Sequence, residues 1–290
     1  MKSAIYINGV KLESDYPEFN GGERNVRLDT VEHIIDGYGD SIVAAYLYDS
    51  SSIIDLLFVF DAFQRTGVKV KTLIIPYLPY ARQDRVCNDG EAFGLKVFAN
   101  LVNQLDVKNI FISDPHSDVG PALIDKSSSQ KQSCYVKSAL NRDVFVKPDV
   151  LISPDGGALK KIYDVAKHIG VNEVVEASKI RNTSNGDITG VGFPENADIE
   201  GKNCWVVDDI CDGGNSFNYL ADKILEDNNP GHLGLYVTHG LFANGTKELY
   251  KRYDTVVSNR IDQNGAFIPY VVPDMTFEEL EEFLKEENND

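Results

Sequence analysis

Two adjacent carboxylates next to a glycine turn are the clearest chemical feature of the sequence. The stretch VVDDICDGGNSF spans residues 206–217 and places Asp208 and Asp209 directly after an apolar, β-branched run. Two like charges on neighbouring residues repel each other unless a cation or several hydroxyl donors face them. A polyol bound together with Mg²⁺ meets that requirement. We therefore predict that the pair faces a bound polyol.

The turn after the carboxylates has the composition of an anion-binding loop. Its glycines allow backbone N–H groups to turn toward an anion, and the segment NSFNYLADKIL then predicts a helix whose N-terminus favours negative charge. The residues of this predicted anion-binding loop are Asp212, Gly213, Gly214, Asn215 and Ser216. The competing interpretation is a solvated loop in which Asn215 or Ser216 caps the helix.

Three further polar segments follow apolar runs, and ligands of open α/β sheets bind at the carboxyl ends of strands. These segments are PYARQDR at 79–85, DPHSD at 114–118 and SPDGG at 153–157. His116 and Asp155 would face one crevice there and could form a magnesium site. A surface histidine and a turn aspartate are the competing interpretations, and the sequence leaves them open.

Alternating strands and helices must position these segments. Near-continuous apolar, β-branched runs alternate with amphipathic segments in two successive series, which indicates an α/β fold with mainly parallel sheets covered by helices. Pro148 and polar neighbours interrupt the periodicity between the series. We predict two domains, 1–142 and 143–290. The polar segment SSSQKQS at 127–133 is predicted to be a loop.

Composition limits the partners and the compartment. The net charge of −17 argues against a nucleic-acid partner, because phosphate backbones are bound by basic surfaces. The 290 residues contain neither a run long enough to span a membrane nor a signal-peptide pattern, so no membrane partner and a cytoplasmic location are expected. Four scattered cysteines without a CxxC pair predict reduced thiols.

The motifs together resemble those of the ribose-phosphate pyrophosphokinases. YLPYARQDR, SDPHS, SPDGG, KIR, VVDD and YVTHG occur in the order and spacing of that family, and the match runs over residues 17–262. The resemblance implies two phosphoribosyltransferase-like domains that assemble into homodimers or hexamers. It also implies Mg²⁺-dependent transfer of the β,γ-diphosphoryl group of ATP to the anomeric 1-hydroxyl of ribose 5-phosphate, with release of AMP.

The resemblance also implies roles on the ATP side. Arg82, Gln83 and His116 would contact ATP. The segment FNGGERNVRL at 19–28 is similar to the one that reaches a neighbouring subunit's ATP in the family. Phe19 would stack on adenine there, and Glu23 would hydrogen-bond to it.

The remaining roles concern the metal and the transfer step. His116 and Asp155 would bind Mg²⁺, and Asp208 and Asp209 would bind the ribose hydroxyls. The catalytic cations would be Lys179 and Arg181, carried by a mobile lid that includes RNTSNGDITG at 181–190.

One departure from the family pattern leaves the acceptor open. The family places hydroxyl-bearing residues and glycines where this chain has Gly213, Gly214, Asn215 and Ser216, so one hydroxyl is missing and a glycine is replaced. Gly213 would remove a donor and open space for a larger acceptor such as ADP-ribose. Two rival hypotheses are an inactive regulatory homologue and a phosphoribosyltransferase.

Overall fold

The structure, a computed structural model, describes residues 4–8, 10–12, 14–15, 17–28, 41–140, 145–181 and 188–259. Within them the chain forms two compact units that divide after residue 130, and each unit is described by itself. The helix at 132–140 belongs to the second unit, whereas the predicted division lies between 142 and 143; that division stays a prediction. Among the described helices, none has the length and apolarity needed to cross a bilayer.

The first unit contains a mixed sheet with helices. Its described elements are β1 (Ala4–Ile7), β2 (Val10–Lys11), β3 (Ser14–Asp15), β4 (Arg27–Leu28), β5 (Ser41–Tyr46), α1 (Ser50–Thr66), β6 (Val70–Ile75), α2 (Gly94–Val102), β7 (Val107–Ser113), α3 (Val119–Leu123) and β8 (Ser127–Gln130). Six strands pair in the order β2-β1-β5-β6-β7-β8. The run from β5 to β8 is parallel, and β1 is antiparallel to both of its neighbours.

Helices α1 and α2 cover one face of this sheet. The start of α1 is fixed by a capping box in which the Asp49 side chain accepts the Ser52 N–H at 2.8 Å, and the helix ends at Gly67 in a left-handed conformation. Its apolar stripe, which includes Leu56 and Phe63, packs into the main core of the unit.

The polar segment at 127–133 is not a loop, so that prediction is wrong. Residues 127–130 form strand β8 at the edge of the sheet, and residue 132 begins the next helix. An edge strand is held by backbone hydrogen bonds to its one neighbour and can expose polar side chains. A prediction based on apolar runs therefore misses this strand, because three of its four residues are serines.

The second unit contains a parallel sheet. Its described elements are α4 (Gln132–Leu140), β9 (Val150–Ser153), α5 (Leu159–Ile169), β10 (Glu173–Glu176), β11 (Ser178–Arg181), β12 (Ile188–Gly192), β13 (Asn203–Cys211), α6 (Asn215–Asp227), β14 (His232–Gly240) and β15 (Thr255–Ser258). Five strands pair in parallel in the order β10-β9-β13-β14-β15. Strands β11 and β12 form a separate antiparallel pair.

The central strand β13 is buried on both faces. Cys204 and Val206 join the apolar cluster on one face, and the alternating residues Trp205 and Val207 join the cluster on the other. This explains why the strand reads as a continuous apolar run rather than as an alternating one. The predicted α/β class with mainly parallel sheets flanked by helices is confirmed.

Gly234 should be needed for this packing. It pairs with Trp205 across the ladder, and a Cβ added at Gly234 would lie 2.5 Å from the indole Cδ2. We expect Gly234→Ala to lower the free energy of unfolding by about 1–3 kcal/mol, because the rigid indole must shift in a close-packed interior. Gly21→Ala is the control, since no atom lies within 4 Å of its added Cβ. Equal unfolding midpoints in urea for both variants would contradict the expectation.

Candidate active site

The two adjacent carboxylates lie inside β13 rather than after it. The strand continues through Cys211, because Ile210 and Cys211 keep pairing with β14. Asp209 is buried, and its backbone N–H donates to Asp208 Oδ1 at 2.9 Å. The carboxylates therefore sit on a rigid strand near its carboxyl end.

A lysine that the sequence analysis missed faces this pair. Lys161 Nζ donates to Asp209 Oδ2 at 2.9 Å, and the carboxylate side chain is 9% exposed. A buried carboxylate needs such a partner, because desolvation of an unpaired charge is costly. Lys161 therefore supplies part of the positive charge that the sequence predicts opposite the two carboxylates. The available signal was position, since Lys161 lies in the first turn of the helix that follows the neighbouring strand β9.

The glycine turn leads into a helix N-terminus that no side chain caps. Gly214 occupies the N-cap position with φ of +83°, and the first helical hydrogen bond runs from Asn218 N to Gly214 O at 3.0 Å. Asn215 and Ser216 are the first two helical residues, so the interpretation in which either caps the helix is wrong. Backbone N–H groups in a first helical turn lack intrahelical acceptors and attract anions.

The cysteine at the end of β13 does not supply a nucleophile. Burial raises the pKa of the Cys211 thiol to about 12, and the charges of Asp208 and Asp212 act in the same direction. Burial likewise raises the pKa of Cys204 to about 11. All four cysteines are free, and these two thiols stay protonated at neutral pH.

Asp155 shapes the turn after β9. Its Oδ1 accepts the N–H groups of Gly157 at 2.8 Å and Ala158 at 3.1 Å, and Ser153 Oγ donates to the Asp155 carbonyl at 2.8 Å. Because β9 pairs with β13 in parallel, this turn lies at the same sheet edge as the carboxylate pair. Asp155 therefore has the structural role of a turn aspartate. The same hydrogen bonds fix the orientation of its carboxylate.

Lys179 and Arg181 belong to strand β11. They pair with Val191 and Ile188 of β12, and β12 packs against α6, the helix that follows the glycine turn. The predicted lid residues 182–187 and the side chains of both cations lie outside the described part of the chain. The strand that pairs with the backbone of the two cations therefore packs against α6.

The candidate ATP residues of the first unit follow two neighbouring parallel strands, β6 and β7. Arg82 and Gln83 are exposed on the segment after β6, and His116 is exposed on the segment after β7. Ser117 Oγ donates to Asp84 Oδ2 at 2.7 Å and joins the two segments directly. The structure thus brings these three predicted residues to one sheet edge, as their strand-end positions indicate.

Phe19 and Glu23 lie on a tight, anchored turn. Phe19 N donates to the Glu23 carbonyl at 2.9 Å, and the Phe19 side chain is 56% exposed. Arg24, which the sequence analysis missed, donates to both oxygens of Asp55 on α1, at 2.8 and 2.5 Å. The hydrogen bond to Asp55 raises the pKa of Arg24. The turn therefore exposes an aromatic ring, and the bidentate ion pair between Arg24 and Asp55 holds the turn against α1.

The predicted residues thus fall into two sets, one in each unit. His116 belongs to the first and Asp155 to the second, so their joint metal role stays a prediction. Within the described ranges, no group of three or more His, Cys, Asp or Glu side chains has the arrangement of a metal site.

Known proteins share this organisation. Residues 9–105 match the model of the N-terminal domain of ribose phosphate pyrophosphokinase, and residues 137–274 match that of the phosphoribosyl transferase domain. The ribose-phosphate pyrophosphokinase of Thermococcus kodakarensis is 27% identical over 271 residues, which cover 91% of each chain. That of Mycoplasma genitalium is 26% identical over 91% of this chain and 77% of its own.

The fold has a solved counterpart. The crystal structure of phosphoribosylpyrophosphate synthetase from Mycobacterium smegmatis superposes with a TM-score of 0.71 at 22% identity, over 88% of this chain and 84% of that one. The strand-borne carboxylates, the glycine turn and the helix N-terminus define a phosphoribosyltransferase-type domain, which here follows a second α/β domain. The chain belongs to the ribose-phosphate pyrophosphokinase family and is a transferase of the diphosphokinase type.

Arg24 should hold the turn that carries Phe19. We expect Arg24→Ala to lower the free energy of unfolding by about 1–3 kcal/mol, because it leaves the largely buried Asp55 carboxylate without its charged partner. Hydrogen exchange of the backbone amides at 17–25 should become faster.

Arg65→Ala is the matched control. Arg65 makes the same kind of bidentate contact with Asp61, but within one helix and with side chains 76% and 55% exposed. Exposed pairs contribute little, roughly 0–1 kcal/mol. Unchanged exchange at 17–25 in Arg24→Ala would show that the ion pair does not hold the turn.

Proposed function

We propose that the chain transfers the β,γ-diphosphoryl group of ATP to the anomeric 1-hydroxyl of ribose 5-phosphate, giving phosphoribosyl pyrophosphate and AMP. The observation that carries this proposal is the placement of two carboxylates on β13 just before the uncapped N-terminus of α6. These are complementary to the two ends of the acceptor, its hydroxyls and its phosphate. The matching relatives named ribose-phosphate pyrophosphokinase support the same reaction.

Each residue of the acceptor site can be given a role. Asp208 is partly exposed and Asp209 is paired with Lys161, and both carboxylates would accept hydrogen bonds from the ribose hydroxyls. The loop from Asp212 to Ser216 would hold the 5-phosphate through backbone N–H groups and the Ser216 hydroxyl. A rigid strand and a helix N-terminus keep both groups in place before the acceptor arrives.

The donor side would lie in the first unit. Arg82, Gln83 and His116 would contact ATP from the joined segments after β6 and β7. Phe19 would stack on the adenine of a neighbouring copy, and Glu23 would hydrogen-bond to it. An exposed ring on an anchored turn suits contact with a second copy, so we propose a homodimer or hexamer in the cytoplasm.

The transfer step would depend on cations at the moving group. Phosphoryl transfer leaves little covalent work to the protein, so catalysis comes from positioning and from positive charge placed where negative charge develops. Lys179 and Arg181 would supply that charge from β11, and residues 182–187 would close over the site as a lid. The overall charge of −17 makes such local cations necessary.

Mg²⁺ would be a cofactor held jointly with ATP. Mg²⁺ is usually bound through one or two protein ligands, several waters and substrate phosphates, so it does not require a three-residue cluster. His116 and Asp155 would hold it, with the Asp155 carboxylate already oriented by two backbone N–H groups. When bound, the ion would neutralise charge on the phosphates.

The rival functions are weaker on this geometry. The argument for ADP-ribose required open space at Gly213, but a Cβ there would lie 2.7 Å from Asn244 Nδ2, so that space is filled. Only the missing hydroxyl at residue 213 still favours ADP-ribose as the acceptor. An inactive regulatory homologue is disfavoured because every candidate catalytic and metal residue is present. A phosphoribosyltransferase would not need the ATP segments of the first unit.

The acceptor can be tested directly. We expect the protein to release AMP from ATP with Mg²⁺ and ribose 5-phosphate, and to release far less with ADP-ribose or ribose alone, because the loop should bind a terminal phosphate. AMP is quantified by chromatography, and excess chelator should abolish its release. AMP release only with ADP-ribose would favour the larger acceptor, and none with any acceptor would favour the regulatory homologue.

Lys179→Ala and Arg181→Ala should separate catalysis from folding. Each should lower kcat for ribose 5-phosphate on the order of 10²-fold or more, by analogy with removal of one transition-state donor. Thermal stability should change little, and Lys223→Ala, at the far end of α6, is the matched cation control that should retain wild-type kcat. Near-wild-type turnover in either variant would show that its assigned role is wrong.

A further inference from the structure

The turn at residues 241–245, after β14, docks onto the acceptor loop. Its four donors reach three consecutive carbonyl oxygens of the segment that ends β13. The contacts are Leu241 N to Cys211 O at 2.8 Å, Phe242 N to Cys211 O at 3.1 Å, Ala243 N to Asp212 O at 2.9 Å and Asn244 Nδ2 to Gly213 O at 3.1 Å. The last of these is the only side-chain contact among the four.

Asn244 occupies the space that a side chain at residue 213 would need. A Cβ built on Gly213 would approach Asn244 Nδ2 to 2.7 Å and Cγ to 3.5 Å. Contacts below 3.0 Å essentially never occur, so a larger residue at 213 would displace the exposed Asn244 carboxamide from its contact with Gly213. The backbone at Gly213 does not have a positive φ, so a larger residue there would collide with the Asn244 side chain without straining the backbone.

The contact also orients a donor of the anion-binding loop. In a trans peptide the carbonyl and the following N–H point in opposite directions, and no peptide bond among the described residues is cis. Holding the Gly213 carbonyl against Asn244 therefore aims the Gly214 N–H away from the 241–245 turn. Two successive glycines have few conformational restraints of their own, so an external contact is needed to fix this direction.

We propose that Asn244 is a positioning residue for the acceptor phosphate. Its carboxamide stands where the side chain of a larger residue 213 would be, fixes the Gly213–Gly214 peptide and preorganises the N–H groups at the start of α6 for a phosphate monoester. This inference rests on the proposed function for the identity of the ligand. The positioning itself rests on the contacts between the two turns.

Steady-state kinetics with three variants test the coupling. Asn244→Ala should raise KM for ribose 5-phosphate roughly 5-fold with little change in kcat, the factor that loss of an average hydrogen bond corresponds to. Gly213→Ser should raise KM further, because its Cβ displaces Asn244. Gly213→Ser combined with Asn244→Ala should have a lower KM than Gly213→Ser alone, since the collision is relieved.

Asn229→Ala is the matched control. Asn229 Nδ2 also makes one exposed loop contact, with Glu200 Oε1 at 3.3 Å, but it lies before β14, at the opposite end of that strand. Its KM should equal that of the wild type. If the KM effects of Gly213→Ser and Asn244→Ala multiply independently, the two changes do not act through the same contact, and the inference fails while the proposed function stands.

Hydrogen exchange separates the two proposals. Asn244→Ala should speed exchange of the backbone amides at 212–216 in the protein without ligand, whether or not ribose 5-phosphate is the acceptor. If the wild type releases no AMP with ribose 5-phosphate, the proposed function fails, and the exchange result still decides the positioning role. Unchanged exchange in Asn244→Ala would overturn that role.

Discussion

Parallel pairing along β13 is the constraint on which the rest of the second unit depends. β13 runs parallel to both of its neighbours, β9 and β14, so the carboxyl ends of the three strands and the segments that follow them lie at the same end of the sheet. The Asp155 turn, the carboxylate pair and the turn at 241–245 are neighbours for this reason, although they are far apart in sequence. Burial on both faces holds the strand rigid and leaves its carboxyl end as the place where polar groups reach solvent.

Individual carboxylates are neutralised by local ion pairs within a strongly acidic chain. The ion pair between Lys161 and Asp209 neutralises one carboxylate of β13, and Asp208 is the more exposed carboxylate of the two. In the first unit, the pair between Arg24 and Asp55 uses a cation to hold a turn rather than to bind a ligand. The proposed anionic substrate would therefore meet a helix N-terminus and a few local cations, although the net charge of the protein would repel it.

Prediction from the sequence succeeded where one segment carries its own signal. Apolar runs followed by polar turns located the buried strands and the strand-end segments, because both depend on local pattern. It failed for the β8 edge strand, whose polar side chains conceal backbone pairing. It also missed Lys161, Asp55 and Asn244, because each acts on a residue more than 30 positions away and only the fold brings them together. The prediction of open space at Gly213 is wrong for the same reason, because the side chain of Asn244 occupies that space.

The regiochemistry of transfer tests the central claim most directly. Phosphorus-31 NMR of the protein with ATP, Mg²⁺ and ribose 5-phosphate follows both terminal phosphates of ATP at once. Transfer of the β,γ-diphosphoryl group predicts a new pair of coupled resonances from a diphosphate on the anomeric carbon, together with stoichiometric AMP and an unchanged 5-phosphate signal. A single new monophosphate ester accompanied by ADP, or free pyrophosphate without a sugar diphosphate, would contradict it.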